Sequence, residues 1–163
     1  MKRHYLAMLG VVLGALVSTE SEASDDATYP GNVCRWLSGG SYQVFSSSIM
    51  NTSTSSTMKV VCPLGRDSKS TLIGADTRVF DRNPNADVKV QLFMEVSSGS
   101  QLLFASDTRF SSSSGANVQK LTHGVLENNS IHATYFAVCD VPPAVNGQVS
   151  HINSFLLFEV GSD

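Results

Sequence analysis

The sequence predicts an all-β protein: an antiparallel β-sandwich, jelly-roll or immunoglobulin-like, with seven or eight strands. Three observations predict it. Apolar residues recur at every second position in several segments, which is the period of a half-buried strand. Short clusters of turn-forming residues separate those segments. Serine runs at 46–48, 53–56 (interrupted by Thr54) and 111–114 disfavour helix, because the hydroxyl competes for nearby backbone groups.

The chain of 163 residues opens on a leader pattern. Lys2 and Arg3 form a basic start, residues 5–17 are apolar and uncharged, and Ser21-Glu22-Ala23 puts small residues where a signal peptidase reads. The apolar stretch is shorter than the roughly 20 residues that span a bilayer. We read residues 1–23 as a signal peptide, 24–30 as a flexible polar tail and 31–163 as a single β-sandwich domain. Cleavage near Ala23 leaves about 140 residues, the size of one ordinary domain. It directs the protein to a secreted or periplasmic location, with no membrane span afterwards.

The strands follow in order. A segment near 43–46 is the first. Met58, Val60 and Cys62 then alternate with Lys59 and Val61. Segments near 73–81, 101–109 and 117–126 read as further strands. Between the first two of these, Val88, Val90, Leu92, Met94 and Val96 alternate with Lys89, Gln91, Phe93 and Glu95. Ile131, Ala133, Tyr135, Ala137, Cys139 and Val141 share a face, as do Ile152, Leu156, Phe158 and Val160. The separators are Gly39-Gly40, Asn83-Pro84-Asn85, Ser97-Ser98-Gly99, Ser114-Gly115, Glu127-Asn128-Asn129 and Asn146-Gly147. Asn-Gly tolerates the positive φ angles of a tight turn.

Composition narrows the function classes. Eleven basic and fourteen acidic residues give a net charge of −3, and loss of the leader leaves it there. Charge is sparse and mixed in sign, with no basic stripe, so nucleic acid is not an expected partner. Nothing in the sequence calls for a cofactor. Cys34, Cys62 and Cys139 are three in number, so one thiol is left over or pairs with another chain.

The chain resembles a set of uncharacterised exported bacterial β-sandwich proteins. The resemblance rests on Tyr29-Pro30-Gly31 with Cys34, on Val60-Val61-Cys62-Pro63 followed by Arg66-Asp67, and on Asp81-Arg82-Asn83 before Val88-Lys89-Val90. Tyr135 leading into Cys139-Asp140-Val141-Pro142 completes it. Relatives of this kind carry a fourth cysteine at or near the position of Val90. The resemblance therefore implies a Cys34–Cys62 disulfide, with Cys139 a buried free thiol whose partner has been replaced by Val90.

Few residues suggest chemistry. His123, His132 and His151 show no metal-ligand spacing, and no Gly-x-Ser-x-Gly elbow is present. Asp81, Asn83, Asn85 and Asp87 place oxygens at alternate positions, as calcium loops do. Ala86 and Leu92 stand where an EF-hand needs Gly and Glu, so a polar turn competes with a calcium site there. Trp36, the only tryptophan, has two fates: burial against a disulfide, the commoner one, or exposure as a ring on which a sugar stacks. Asn51-Thr52-Ser53 and Asn128-Asn129-Ser130 match glycosylation sequons.

The functional expectation is a secreted non-catalytic sandwich acting by its surface. Either it binds, with glycan or cell envelope as the ligand class, or it takes part in an extracellular assembly. The alternative is a small secreted hydrolase with a dispersed active site. A hydrolase predicts a concave pocket holding a histidine beside an acid or nucleophile. A binder predicts a sheet face or loop rim with exposed aromatics such as Trp36, Tyr42 or Phe110. A structural subunit predicts an exposed strand edge.

Overall fold

The computed structural model describes residues 26–66, 70–98, 100–112, 117–124, 126 and 133–161. The leader at 1–23 lies outside them, as do Asp67, His132 and the second sequon. Twelve strands are described: β1 (Ala27–Pro30), β2 (Arg35–Ser38), β3 (Tyr42–Phe45), β4 (Ser48–Asn51), β5 (Met58–Leu64) and β6 (Ser70–Phe80), then β7 (Lys89–Ser98), β8 (Ser100–Ala105), β9 (Arg109–Phe110), β10 (Val118–His123), β11 (Ala133–Val141) and β12 (His151–Gly161). A short 3₁₀ turn, Gly31–Val33, joins β1 to β2.

All pairings are antiparallel and fall into two sheets. Sheet A runs β10-β6-β12-β4-β3, with β1 continuing the line of β4 along β12. Sheet B runs β2-β5-β11-β7-β8, with β9 continuing the line of β8 along β7. Eight of the strands form the frame. From β4 to β7 the chain alternates between sheets, β7 and β8 form a hairpin, and β10 to β12 alternate again. That is the winding of a jelly roll. The antiparallel sandwich expected from the sequence is thus present, but the strand expected near 43–46 is the edge piece β3, and the frame strand β4 beside it was not expected; β1, β2 and β9 are further short edge pieces.

Period-two patterning builds the core. Met58, Val60, Cys62 and Leu64 of β5, Val90, Leu92, Met94 and Val96 of β7, and Tyr135, Ala137, Cys139 and Val141 of β11 all point inward and are buried. They meet Leu72, Ala75 and Val79 of β6, Ile49 of β4, and Ile152, Phe155 and Leu157 of β12. Cys34 and Cys62 are bridged. Cys139 is a buried free thiol standing directly across β7 from Val90. Burial, then the neighbouring Asp140, pushes its pKa far up, so it stays protonated and unreactive.

Three expectations need correction. Residues 27–30 are not a loose tail: Ala27–Pro30 pair with Ser154 to Leu157, because β4 leaves β12 after Ile152 and exposes ladder groups that β1 satisfies. The inward face of β12 is not Ile152, Leu156 and Phe158. A register shift between Ile152 and Ser154 inserts one residue, so Phe155, Leu157 and Glu159 turn inward while Leu156 and Phe158 are only half-buried. Trp36 is not buried against the disulfide. It sits on the outermost strand of sheet B, is 47% exposed, and donates from Nε1 to the carbonyl of Gly39.

Two turns hold the positions that matter below. Gly39 and Gly40, at φ of 65° and 52°, carry the chain from sheet B to sheet A; a Cβ on Gly39 would lie 2.2 Å from the carbonyl oxygen of Thr57. Asn146 and Gly147 adopt φ of 52° and 75° and close the Val145–Gln148 bridge, as expected of Asn-Gly.

Candidate functional site

The residues that the core leaves outside form rows across sheet B. Antiparallel register places Ser38 opposite Lys59, Lys59 opposite Asp140, Asp140 opposite Lys89, and Lys89 opposite Phe110. Directly opposed residues share a face. The five side chains therefore form one transverse row over β2, β5, β11, β7 and β9. Together with Thr57, Ala86, Asp87 and Pro142 they line an open groove of about 600 Å³. That volume lies within the range of about 300–1,000 Å³ of small-molecule sites.

The row is electrostatically balanced. Lys59 and Lys89 face Asp87 and Asp140, so the groove carries no net charge. Lys59 Nζ stands 3.5 Å from Asp140 Oδ1, too long for a good hydrogen bond. That oxygen is shielded from solvent and accepts no hydrogen bond from the described residues. The Lys89 ammonium lies 5.9 Å from the centre of the Phe110 ring, a cation–π distance. Phe110 is itself 53% exposed.

Behind the row the middle of the same face becomes apolar. Val61 and Val138 are paired and half-buried, with Arg35 and Gln91 in register on either side of them. Next come Pro63, Phe136 and Phe93, again in register. Phe93 and Phe136 stack with ring centres 5.2 Å apart and planes 8° from parallel. One face thus presents a groove with hydrogen-bonding side chains and an exposed ring, leading onto an apolar strip that ends in a ring pair.

The segment weighed between a polar turn and a calcium site is built as a turn. Asp81 is wholly buried where β6 ends. Its Oδ1 accepts from the Asn83 amide at 3.0 Å and from Ser150 Oγ at 3.1 Å; its Oδ2 accepts from Ser111 Oγ at 2.5 Å and from the Val88 amide at 3.4 Å. Asn83 Oδ1 accepts from the amides of Asn85 and Ala86, and its Nδ2 donates to the Pro143 carbonyl. Asn85 is exposed and Asp87 half-buried. Among the described residues no three His, Cys, Asp or Glu side chains gather as a metal site would need. The four residues shape a turn that delivers Asp87 and Lys89 to the groove.

Neither described histidine lines the groove. His123 is 2% exposed, with Nε2 3.2 Å from Thr77 Oγ1. Burial first, and Arg109 second, lower its pKa to about 4, so it is neutral at physiological pH. His151 stacks against Phe80 at 4.4 Å, and burial lowers its pKa too. Asn51 of the first sequon is fully buried and donates to the carbonyls of Ser56, Val141 and Pro142, so its amide is closed to glycosylation in the folded chain. Of the predicted aromatics, Phe110 is at the groove, while Trp36 and Tyr42 lie on a separate flank. Lys59, Lys89, Asp140 and the Phe93–Phe136 pair were not singled out from sequence. The outward positions of the alternation are where they could have been found.

No protein-family model matches the sequence, and no curated protein sequence matches it. Solved structures of similar fold include a family 6 carbohydrate-binding module (14% identity, TM-score 0.47, 83% of this chain and 94% of that one covered). A low-affinity xylan-binding module from Roseburia intestinalis is another (12% identity, TM-score 0.45, 81% and 93% covered). A family two carbohydrate esterase from Cellvibrio japonicus is a third (9% identity, TM-score 0.44), with 85% of this chain but only 34% of the esterase covered. At these identities and scores the likeness carries no argument about this chain.

Proposed function

We propose that this chain is a secreted, non-catalytic glycan-binding protein and that the outer face of sheet B holds the ligand. The observation that carries the reading is the in-register row of Ser38, Lys59, Asp140, Lys89 and Phe110 around one open groove. A sugar ring has an apolar C–H face and a rim of hydroxyls that both donate and accept. The groove offers the complement: an exposed ring to stack on, ammonium donors, and the Ser38 and Thr57 hydroxyls and Asp87 carboxylate on its lining. Balanced charge favours an uncharged saccharide over a uronate or sulfated one. The apolar strip towards Phe93 and Phe136 gives a longer chain a path to follow.

Export supports the same reading. The leader pattern, the Cys34–Cys62 bridge and the resemblance to exported bacterial proteins agree with an extracellular or periplasmic ligand. Among the described residues no helix is long and apolar enough to cross a membrane.

Titration calorimetry against a panel of soluble neutral and acidic polysaccharides tests the proposal. A neutral polysaccharide should bind, and Phe110→Ala should weaken it by at least about tenfold, the loss of one stacking contact. Equal binding by wild type and Phe110→Ala would remove the groove from the account.

A further inference from the structure

Five of the other exposed apolar residues lie close together on one flank. Sheet B ends there on β2 and sheet A on β3, and every residue of both strands is exposed. Within positions 36–45, Trp36, Leu37, Tyr42, Val44 and Phe45 are 47%, 48%, 52%, 47% and 66% exposed. The ten residues from Trp36 to Phe45 include no charged side chain and no proline, and Arg35 at the start of β2 is the one charge on the two strands. Sheet edges are ordinarily guarded by lysine, proline or a bulge. A register shift interrupts β2 after Trp36, but β3 pairs with β4 without a break over four residues, and no described residue pairs with its outer edge. The opposite flank carries exposed apolar residues too, Leu103, Phe104, Phe110 and Val118, but Asp107, Arg109 and Lys120 lie among them.

We propose that this flank is a contact between two copies of the chain, with the free edge of β3 pairing antiparallel to the β3 of the second copy. Three features select a second copy over another occupant. An uncharged segment meets itself with no like-charge repulsion, whereas a charged partner would find no counter-charge along it. An antiparallel edge pairing is self-complementary, as a two-fold contact requires. The area also suffices. The three rings and two aliphatic side chains offer on the order of 500 Å² per copy, at about 150–250 Å² for a fully enclosed aromatic. Two copies then bury about 1,000 Å², the lower bound of a specific interface. The contact is non-covalent, because Cys34 is bridged within the chain and Cys139 is fully buried.

Sedimentation equilibrium of the exported chain, in reducing-agent-free buffer up to about 200 µM, tests it at the affinity an interface of this size supports. A reversible monomer–dimer equilibrium is expected. Phe45→Lys, and separately Val44→Lys, should raise the dissociation constant at least tenfold. Both should keep the wild-type melting temperature, and Leu103→Lys on the opposite flank should leave association unchanged. Either variant alone suffices if the other misfolds. A monomer across the whole range overturns the proposal, as does a dimer that both β3 variants leave intact or that Leu103→Lys dissociates.

Discussion

Two polar clusters lie within a few residues of each other and have opposite fates. Asp81 at the end of β6 is enclosed, and four donors from three parts of the chain fill both of its oxygens. Asp140 on β11 faces the groove with one lysine 3.5 Å from Oδ1. The first carboxylate ties the turn at 81–88 to Ser111 and Ser150 and has nothing left to offer a ligand. The second lines the groove beside a lysine and takes no part in tying a turn. The same side-chain chemistry therefore serves folding in one place and lines an open groove in the other. What separates them is which face of a strand end each occupies.

Asp81→Ala would break the comparison on its buried side most severely. It strands three donors, since the Val88 amide keeps Ser111 Oγ at 2.7 Å, and opens a cavity, and should cost about 3–5 kcal/mol, the range for breaking a buried charged network. Urea unfolding measures it. A loss below 1 kcal/mol would mean the cluster is not the tie described. Cys34→Ser with Cys62→Ser comes next. The bridge closes a sequence separation of 28 residues, and its removal should cost about 3–4 kcal/mol, mostly through the freed unfolded chain. An unchanged denaturation midpoint would contradict it.

A smaller effect follows from His123. Folding lowers its pKa from 6.5 to about 4, so between those values the unfolded chain binds more protons than the folded one. The contribution is complete above about pH 6.5 and is lost progressively as pH falls towards 4, by about 2–3 kcal/mol. The difference between wild type and His123→Gln, followed by unfolding at pH 7 and pH 4.5, isolates it. The two should converge at the lower pH, and parallel curves would reject this assignment. The smallest stability effect belongs to the open side. Phe110→Ala should change unfolding free energy by less than about 0.5 kcal/mol, as for other exposed positions.

The frame was legible in the sequence because alternation and turn chemistry are local. The inward sets of β5, β7 and β11 and the Asn146-Gly147 turn all follow from residues near one another in the chain. The face of β12 was misread because a one-residue shift after Ile152 reverses parity and leaves no mark in composition. Trp36 was misread because burial depends on which strand closes the sheet. The groove was the least legible part. Lys59, Lys89 and Asp140 are distant in sequence and meet only through the registers of β5 and β7 on β11. The Asp81 loop, by contrast, had a conspicuous local pattern, and the oxygens of Asp81 and Asn83 are turned inward while Asn85 is exposed.

The most direct test of the central claim pairs the two clusters in one binding measurement. Calorimetric titration of a neutral polysaccharide is run on wild type, Phe110→Ala and Ser111→Ala, the last two checked for folding. The account predicts at least about tenfold weaker binding for Phe110→Ala at wild-type stability. Ser111→Ala should bind as wild type does despite a measurable loss of stability. Undiminished binding in Phe110→Ala, or weakened binding confined to Ser111→Ala, would contradict it.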